Sequence, residues 1–176
     1  MILDYPDIRQ DDDSSCGPAV VRSVLNFFGE DEDHQILKKV LKCTDDWGTD
    51  PIDIVKYFKK RGFKVKDYEL TIEQVIDFVN KKKPVILCIQ AWAHPKANYK
   101  KSWDHGHYVV VIGYNKKEKK ILFHDPSVFD QRAYLDFKEL LDRWHDVDRK
   151  GIKYNNFGIA VYGKKPIFRS KLVKIK

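Results

Sequence analysis

An apolar helix that begins at a cysteine is the feature that most constrains this chain. Residues 14–29 read SSCGPAVVRSVLNFFG, and their apolar side chains recur at the three- and four-residue spacing of a helix with one buried face. Ser14 or Ser15 can cap the helix start, a proline is tolerated in the first turn, and Gly29 is a ready stop. Cys16 is therefore predicted at the helix N-terminus.

This position of Cys16 allows two interpretations. The unpaired N–H groups and the macrodipole of a helix start stabilise a thiolate, which is the nucleophilic form of cysteine. Cysteine is also a small residue that is often buried only for packing. Position alone leaves both interpretations open.

A later hairpin favours the nucleophile. Residues 107–114 read HYVVVIGY, a strand by composition, and a polar turn and ILFHDP follow. Folding this segment about residue 116 predicts that His107 and Asp125 are neighbours at the open end, where a carboxylate can orient an imidazole. Pro126 then ends the ladder. The alternative is an ordinary hairpin whose histidine and aspartate face solvent.

These residues, with a glutamine six places before the cysteine, carry a resemblance. The glutamine, the CGPA helix start, the HYVVV strand and the Asp-Pro pair resemble papain-like cysteine peptidases of the bacteriocin-processing, double-glycine-leader type. The similarity covers about residues 10–161. It implies that Cys16 is the nucleophile and His107 the base. It further implies that Asp125 orients the base and that Gln10 is an oxyanion-hole donor.

Amide chemistry requires the same residue types independently of any family. The reaction needs a nucleophile, a base that returns its proton to the leaving amine, and donors for the developing oxyanion. Cys16 and His107 can form the ion pair, and Asp125 can fix the histidine tautomer. Gln10 and the Cys16 backbone N–H can supply the donors. The alternative for Gln10 is a solvated residue in an acidic stretch.

Three functions fit these residues. In a peptidase, water resolves the acyl-enzyme. An acyl transferase, in which an amine resolves it, or a deamidase can use the same triad. A catalytically silent peptide-binding module of the same fold is the third possibility. The resemblance implies a peptide substrate cleaved after a double glycine, but no transporter segment accompanies this chain, so the substrate stays open.

The segment 92–106 has fifteen residues without a helical or strand period. Connections of this length are often lids or binding loops. Trp103, Trp92 and His105 are the candidate substrate-binding residues, and Trp103 is expected to pack against the substrate. His105 also competes for the base role. Alternatively, the aromatic side chains lie against the core. The lysines of the loop would favour acidic or C-terminal groups of a substrate: Lys96, Lys100 and Lys101.

Metal and cofactor chemistry receives little support. A zinc site can be imagined around the histidines, but histidine spacing alone is weak evidence, and there is no glycine-rich phosphate loop. We therefore predict no metal and no cofactor. The residues considered for zinc are His94, Asp104, His105, His107 and His124.

The length and charge of the chain fit one domain over residues 1–176. The net charge of +7 is concentrated in a basic tail, residues 164–176, which has six basic residues and no acidic one; the rest carries +1. An edge strand with solvated lysines is the favoured interpretation of this tail. Binding of nucleic acid, an anionic surface or an acidic partner is the less favoured one.

Cysteine use and hydropathy suggest a compartment. Three cysteines cannot all pair, so Cys43 and Cys88 are predicted to be unpaired packing residues in a reducing, cytoplasmic environment. No apolar run approaches the ~20 residues of a membrane span, and the start lacks a secretory signal.

The remaining periodicities complete an α+β layout of the papain-like type, with N-terminal helices followed by an antiparallel sheet. A TIEQ sequence matches a capping box. The predicted helices cover residues 33–41, 51–62, 71–82 and 136–146, and further strands cover residues 84–90 and 157–162.

Overall fold

The computed structural model of the chain describes residues 1–94, 96–129 and 132–170. Helices come first and most strands later, as predicted, so the α+β class is confirmed. In chain order the elements are α1 (Cys16–Phe27), α2 (His34–Val40), α3 (Pro51–Lys60), β1 (Lys64–Glu69), α4 (Ile72–Asn80), β2 (Val85–Gln90), β3 (Gly106–Asn115), β4 (Lys120–His124), β5 (Ala133–Asp136), α5 (Phe137–Arg143), β6 (His145–Val147), β7 (Lys153–Asn155) and β8 (Phe157–Tyr162).

Six of the strands form one antiparallel sheet, in the order β1-β8-β2-β3-β4-β5, and β6 pairs with β7 separately. Every residue of β2 is buried, as expected for a central strand. The N-terminal segment lies along β3, where the Leu3 N–H donates to the Ile112 carbonyl at 2.7 Å. β3 therefore has bonded neighbours on both edges from Val110 onward, and its first residues, including His107, are held by pairing with β2.

Helix α1 is more buried than a single apolar face predicts. All its residues except Arg22 and Asn26 are buried, because it packs against both β3 and α2. The predicted stop is correct: Gly29 has a φ of +79° and its N–H donates to the Asn26 carbonyl at 2.9 Å. The sheet and the second helix together fix the N-terminus of α1.

The predicted elements agree with the structure within two residues at each end, except for one helix. The capping box is present, since the Thr71 hydroxyl accepts the Gln74 N–H at 3.3 Å and the Gln74 side chain accepts the Thr71 N–H at 2.8 Å. The helix predicted over 136–146 ends at Arg143. Trp144 leaves the helical conformation because its buried indole donates to the Phe157 carbonyl at 2.8 Å.

The described part of the basic tail, residues 164–170, forms no strand, so the edge-strand prediction is wrong there. This segment instead follows the C-terminal end of α1. The Lys164 ammonium pairs with the Glu30 carboxylate, and the Ile167 N–H donates to the Phe27 carbonyl at 3.2 Å. Residues 171–176 lie outside the described residues, and the binding role of the tail stays a prediction.

No described helix combines the length and the apolar character that crossing a bilayer requires.

Candidate active site

Cys16 is the first residue of α1, and its side chain is buried. The first N–H groups of a helix have no acceptor within the helix, so the Cys16 N–H is available to a ligand oxygen. A Cβ atom at Gly17 would lie 2.8 Å from the Thr49 side chain, which explains a glycine directly after the cysteine. The segment before α3 therefore packs against the helix start.

His107 and Asp125 form a buried pair. His107 is the second residue of β3, Asp125 follows β4, and the His107 Nε2 lies 2.7 Å from the Asp125 Oδ1. The same oxygen accepts the Ser127 N–H at 2.8 Å, which holds the carboxylate in place. Because Asp125 occupies Nε2, the His107 Nδ1 is the ring nitrogen left for Cys16.

The pairing register of this hairpin differs from the predicted one. Val110 pairs with His124, so the ladder continued by one step would put Asp125 opposite Val109, not opposite His107. The turn is centred after residue 117 and not at residue 116, which causes the difference, and the register shift between Val111 and Gly113 reduces it by one residue. His107 lies two residues from Val109 on the same strand face, and its ring reaches Asp125 diagonally. The predicted contact is thus present in a different register.

The surroundings of His107 favour its charged form. Burial opposes that charge, but the hydrogen bond that His107 donates to Asp125 and the interaction with the Cys16 sulfur outweigh it and raise the His107 pKa to about 10. Burial raises the pKa of the Cys43 thiol and of the Cys88 thiol. All three cysteines are free, as predicted for Cys43 and Cys88.

Gln10 is bonded to the loop that carries Asp125. Its Oε1 accepts the Ser127 hydroxyl at 2.9 Å, and its Nε2 donates to the Asp12 carbonyl at 2.8 Å. The Gln10 backbone N–H also donates to the Pro126 carbonyl at 3.2 Å. Gln10 therefore belongs to the same hydrogen-bond network as the His107–Asp125 pair, and its Nε2 retains a second hydrogen.

A cavity of about 370 Å³ lies beside Cys16. Residues 45–49 form one wall and β6 another. Trp103 lines this cavity; it is half-buried, with its ring centroid 4.5 Å from that of His145. His105 is exposed and does not line it. The loop lysines do not line it either, and their attraction of acidic or C-terminal substrate groups stays a prediction.

Trp92 does not line the cavity beside Cys16 but lies near His107. It is 62 % exposed, and its ring centroid is 6.4 Å from that of His107. A second cavity of about 210 Å³ contains Trp92, Tyr134 and Asp125 in its lining. The structure thus separates the two tryptophans that the sequence grouped together.

Comparison with known proteins decides the family. Residues 2–152 match the model of the Peptidase C39 like family. The chain belongs to this family. No curated protein sequence matches the chain.

Solved structures of C39-type peptidases share the fold. A structure described as a C39-like peptidase from Bacillus anthracis has a TM-score of 0.71 at 18% identity, covering 97% of this chain and 98% of its own. The peptidase domain of Streptococcus ComA, a bifunctional ABC transporter, has a TM-score of 0.65 at 22% identity, with coverages of 89% and 97%. A double-glycine-motif protease from an AMS/PCAT transporter, solved with its leader peptide, has a TM-score of 0.63 at 18% identity, with 93% of each chain covered. The predicted papain-like fold is therefore confirmed.

Sequence reasoning missed two residues that join the segments around the site of this C39-like chain. Gln90 is fully buried, donates to the His145 carbonyl at 3.0 Å and accepts the His105 N–H at 2.9 Å. It thereby joins β6 to the loop before β3. A glutamine that ends an otherwise apolar buried strand was the available signal. The second missed residue, Arg149, lies 2.6 Å from Asp50 and donates to the Lys42 carbonyl at 3.0 Å.

In the described part of this C39-like chain, no three His, Cys, Asp or Glu side chains are grouped as a metal site would require. His107, the central member of the imagined zinc set, is bonded to Asp125.

Proposed function

We propose that this C39-like protein is a cysteine peptidase that hydrolyses a peptide or amide bond. Cys16 acts as nucleophile, His107 as acid and base, Asp125 as the residue that orients His107, and Gln10 as an oxyanion donor. The observation that carries the proposal is the buried His107–Asp125 pair, whose other ring nitrogen is left for a cysteine at a helix N-terminus.

The geometry supports a two-step reaction. The Cys16 sulfur attacks the carbonyl carbon, a C–S bond forms, and the carbonyl electron pair moves to oxygen, which accepts hydrogen bonds from the Cys16 N–H and the free Gln10 amide hydrogen. His107 gives its proton to the leaving nitrogen as the C–N bond breaks. Water then attacks the thioester while His107 takes its proton, and the carboxylic acid forms as the C–S bond breaks.

The 370 Å³ cavity is the place for a peptide substrate in this mechanism, because Cys16 lines it. Trp103 lines the cavity and offers a flat contact surface, which supports a substrate-binding role for it. The related double-glycine protease was solved with a leader peptide, which favours peptides with small residues at the scissile bond as first candidates. Three free thiols are consistent with a reducing compartment such as the cytoplasm.

A peptide-library digest tests the proposal. The wild-type protein and Cys16→Ala are incubated with the same mixture, which includes double-glycine peptides, and products are identified by mass spectrometry with and without added ethylamine. We expect cleavage by the wild type only, into two fragments whose summed mass exceeds that of the substrate by one water. Products that carry ethylamine would indicate acyl transfer, a one-unit mass gain at a glutamine would indicate deamidation, and no product at all would indicate a peptide-binding module.

A further inference from the structure

Five aspartates line the cavity beside Cys16, although the chain carries a net charge of +7. They come from the segment before α1, the segment before α3, the loop before β3, and β6. No lysine, arginine or histidine lines this cavity. The five are Asp13, Asp45, Asp46, Asp104 and Asp146.

These aspartates are not neutralised by the protein. Other acidic side chains form ion pairs, such as Asp12 with Lys38 at 2.7 Å and Asp31 with Arg22 at 2.8 Å. Within the described ranges, none of the five has a basic nitrogen within the 4.0 Å of an ion pair. The cavity therefore presents negative charge to a ligand.

Asp146 is the least exposed of the five and lies next to the reactive groups. Its Oδ2 accepts the Cys88 thiol at 2.7 Å, and its Oδ1 accepts the Gln90 side chain at 3.2 Å. Both oxygens would be 2.6 Å from a Cβ at Gly106, the residue before His107. Cys88, Gln90 and Gly106 bring no positive charge. Burial raises the pKa of Asp146, and the hydrogen bonds it accepts and the interaction with the adjacent His145 oppose this rise only in part. A cation from a ligand would offset the energetic cost of this half-buried carboxylate.

Basic side chains around the cavity are bonded to other groups. Lys38, which interacts with Asp45, is paired with Asp12 at 2.7 Å, and the Nε2 of His145, which interacts with Asp146, lies 2.7 Å from the Ser102 carbonyl. The Arg149 guanidinium is paired with Asp50 at 2.6 Å. The Lys153 ammonium lies 4.6 Å from the centroid of the Trp103 ring, at the cavity wall. His107 is directed to Asp125. A ligand is thus the available source of the positive charge that the five aspartates favour.

We propose that this cleft selects peptides with a positively charged nitrogen, an ammonium or guanidinium group, close to the scissile amide. The inference rests on the proposed function and names the substrate class of the same site. A lysine or arginine side chain and the α-ammonium of a peptide N-terminus share this chemistry, and substrate variants can distinguish them.

The charge of the cleft can be tested without any substrate. Cys16 is labelled with two thiol reagents of similar size, cationic aminoethyl and anionic sulfonatoethyl methanethiosulfonate, and peptide mapping measures the rate at Cys16. We expect the cationic reagent to be faster by about tenfold relative to the same ratio for free cysteine at low salt. The His107 imidazolium alone would make Cys16 react faster with the anionic reagent. Faster reaction with the cationic reagent would therefore show that the aspartates make the cavity negative.

Variants assign the effect to the cavity. Asp146→Asn and the pair Asp45→Asn/Asp46→Asn should each lower the cation-to-anion ratio about threefold, and 1 M salt should bring it close to that of free cysteine. The matched control Asp77→Asn, which removes the same charge from the exposed face of α4, should leave the ratio unchanged.

The outcomes separate the two proposals. A ratio at or below that of free cysteine, with Cys16 still modified rapidly by neutral iodoacetamide, overturns the charge preference and leaves the peptidase proposal intact. A Cys16 that no reagent modifies overturns the peptidase proposal and the preference with it.

Substrate variants then identify the source of the charge. In a cleaved peptide, lysine-to-norleucine replacement beside the scissile bond should lower kcat/KM about tenfold if a side chain is recognised, and N-terminal acetylation should do so if the α-ammonium is recognised. If neither change lowers kcat/KM, the inference is wrong.

Discussion

His107→Ala is expected to lower kcat on the order of a thousandfold or more, because proton transfer to the leaving nitrogen and from water both depend on this imidazole. His105→Ala should lower kcat by less than about tenfold, because His105 is exposed and its hydrogen bonds in the described residues use the backbone, its N–H donating to Gln90 and its carbonyl accepting the Ala91 N–H. Both rates are measured on the first peptide found to be cleaved. A larger loss in His105→Ala would show that the base assignment is wrong.

Loss of activity in His107→Ala must be separated from loss of folding. The substitution leaves the buried Asp125 carboxylate without its 2.7 Å partner, which destabilises the protein. His107→Gln keeps much of the side-chain volume and a donor for Asp125 but cannot act as the base. We expect it to remain folded by circular dichroism and to be as inactive as His107→Ala.

Asp125→Asn is expected to lower kcat about a hundredfold and to shift the pH profile. The carboxylate stabilises the His107 imidazolium and helps to hold its pKa at about 10, so the alkaline decline of kcat/KM should lie near that pH in the wild type. Without the negative charge the imidazolium loses its proton at lower pH, and the decline should move to lower pH.

The measurement is kcat/KM from pH 6 to 11 for the wild type, Asp125→Asn and a control, Asp77→Asn. The control removes an exposed carboxylate on α4 that is paired only with Lys81, so its profile should coincide with that of the wild type. An alkaline decline that stays at the same pH in Asp125→Asn would contradict the orienting and electrostatic role of Asp125.

Local signals explain which elements were predictable. Helix α1 has a strong apolar period and a glycine stop, and α4 has a capping box, so both were predicted from residues close in sequence. β1 was missed because KVKDYE is mostly charged and its partner, β8, follows almost a hundred residues later. The three-residue β6 depends on pairing with β7 after the helix is ended by Trp144.

The site was predictable only in part, for a similar reason. Cys16 and the His107–Asp125 contact follow from a helix start and a single hairpin, even though a bulge changes the register. The acidic cavity combines four separate segments, and only tertiary packing brings Asp45 and Asp146 to the same space. The net charge of +7 gave no indication of this acidic cavity, because a net value does not show where acidic side chains cluster and most of the excess basic charge is in the tail.

The rate of Cys16 alkylation tests the central claim most directly. Native protein is treated with limiting iodoacetamide at neutral pH, and peptide mapping follows each cysteine with time. We expect Cys16 to be modified at least about tenfold faster than Cys43 and Cys88, whose thiol pKa values are raised by burial, and to lose this advantage in His107→Gln. Modification of Cys16 at the same rate as the other two, or a rate that His107→Gln does not change, would contradict the catalytic triad.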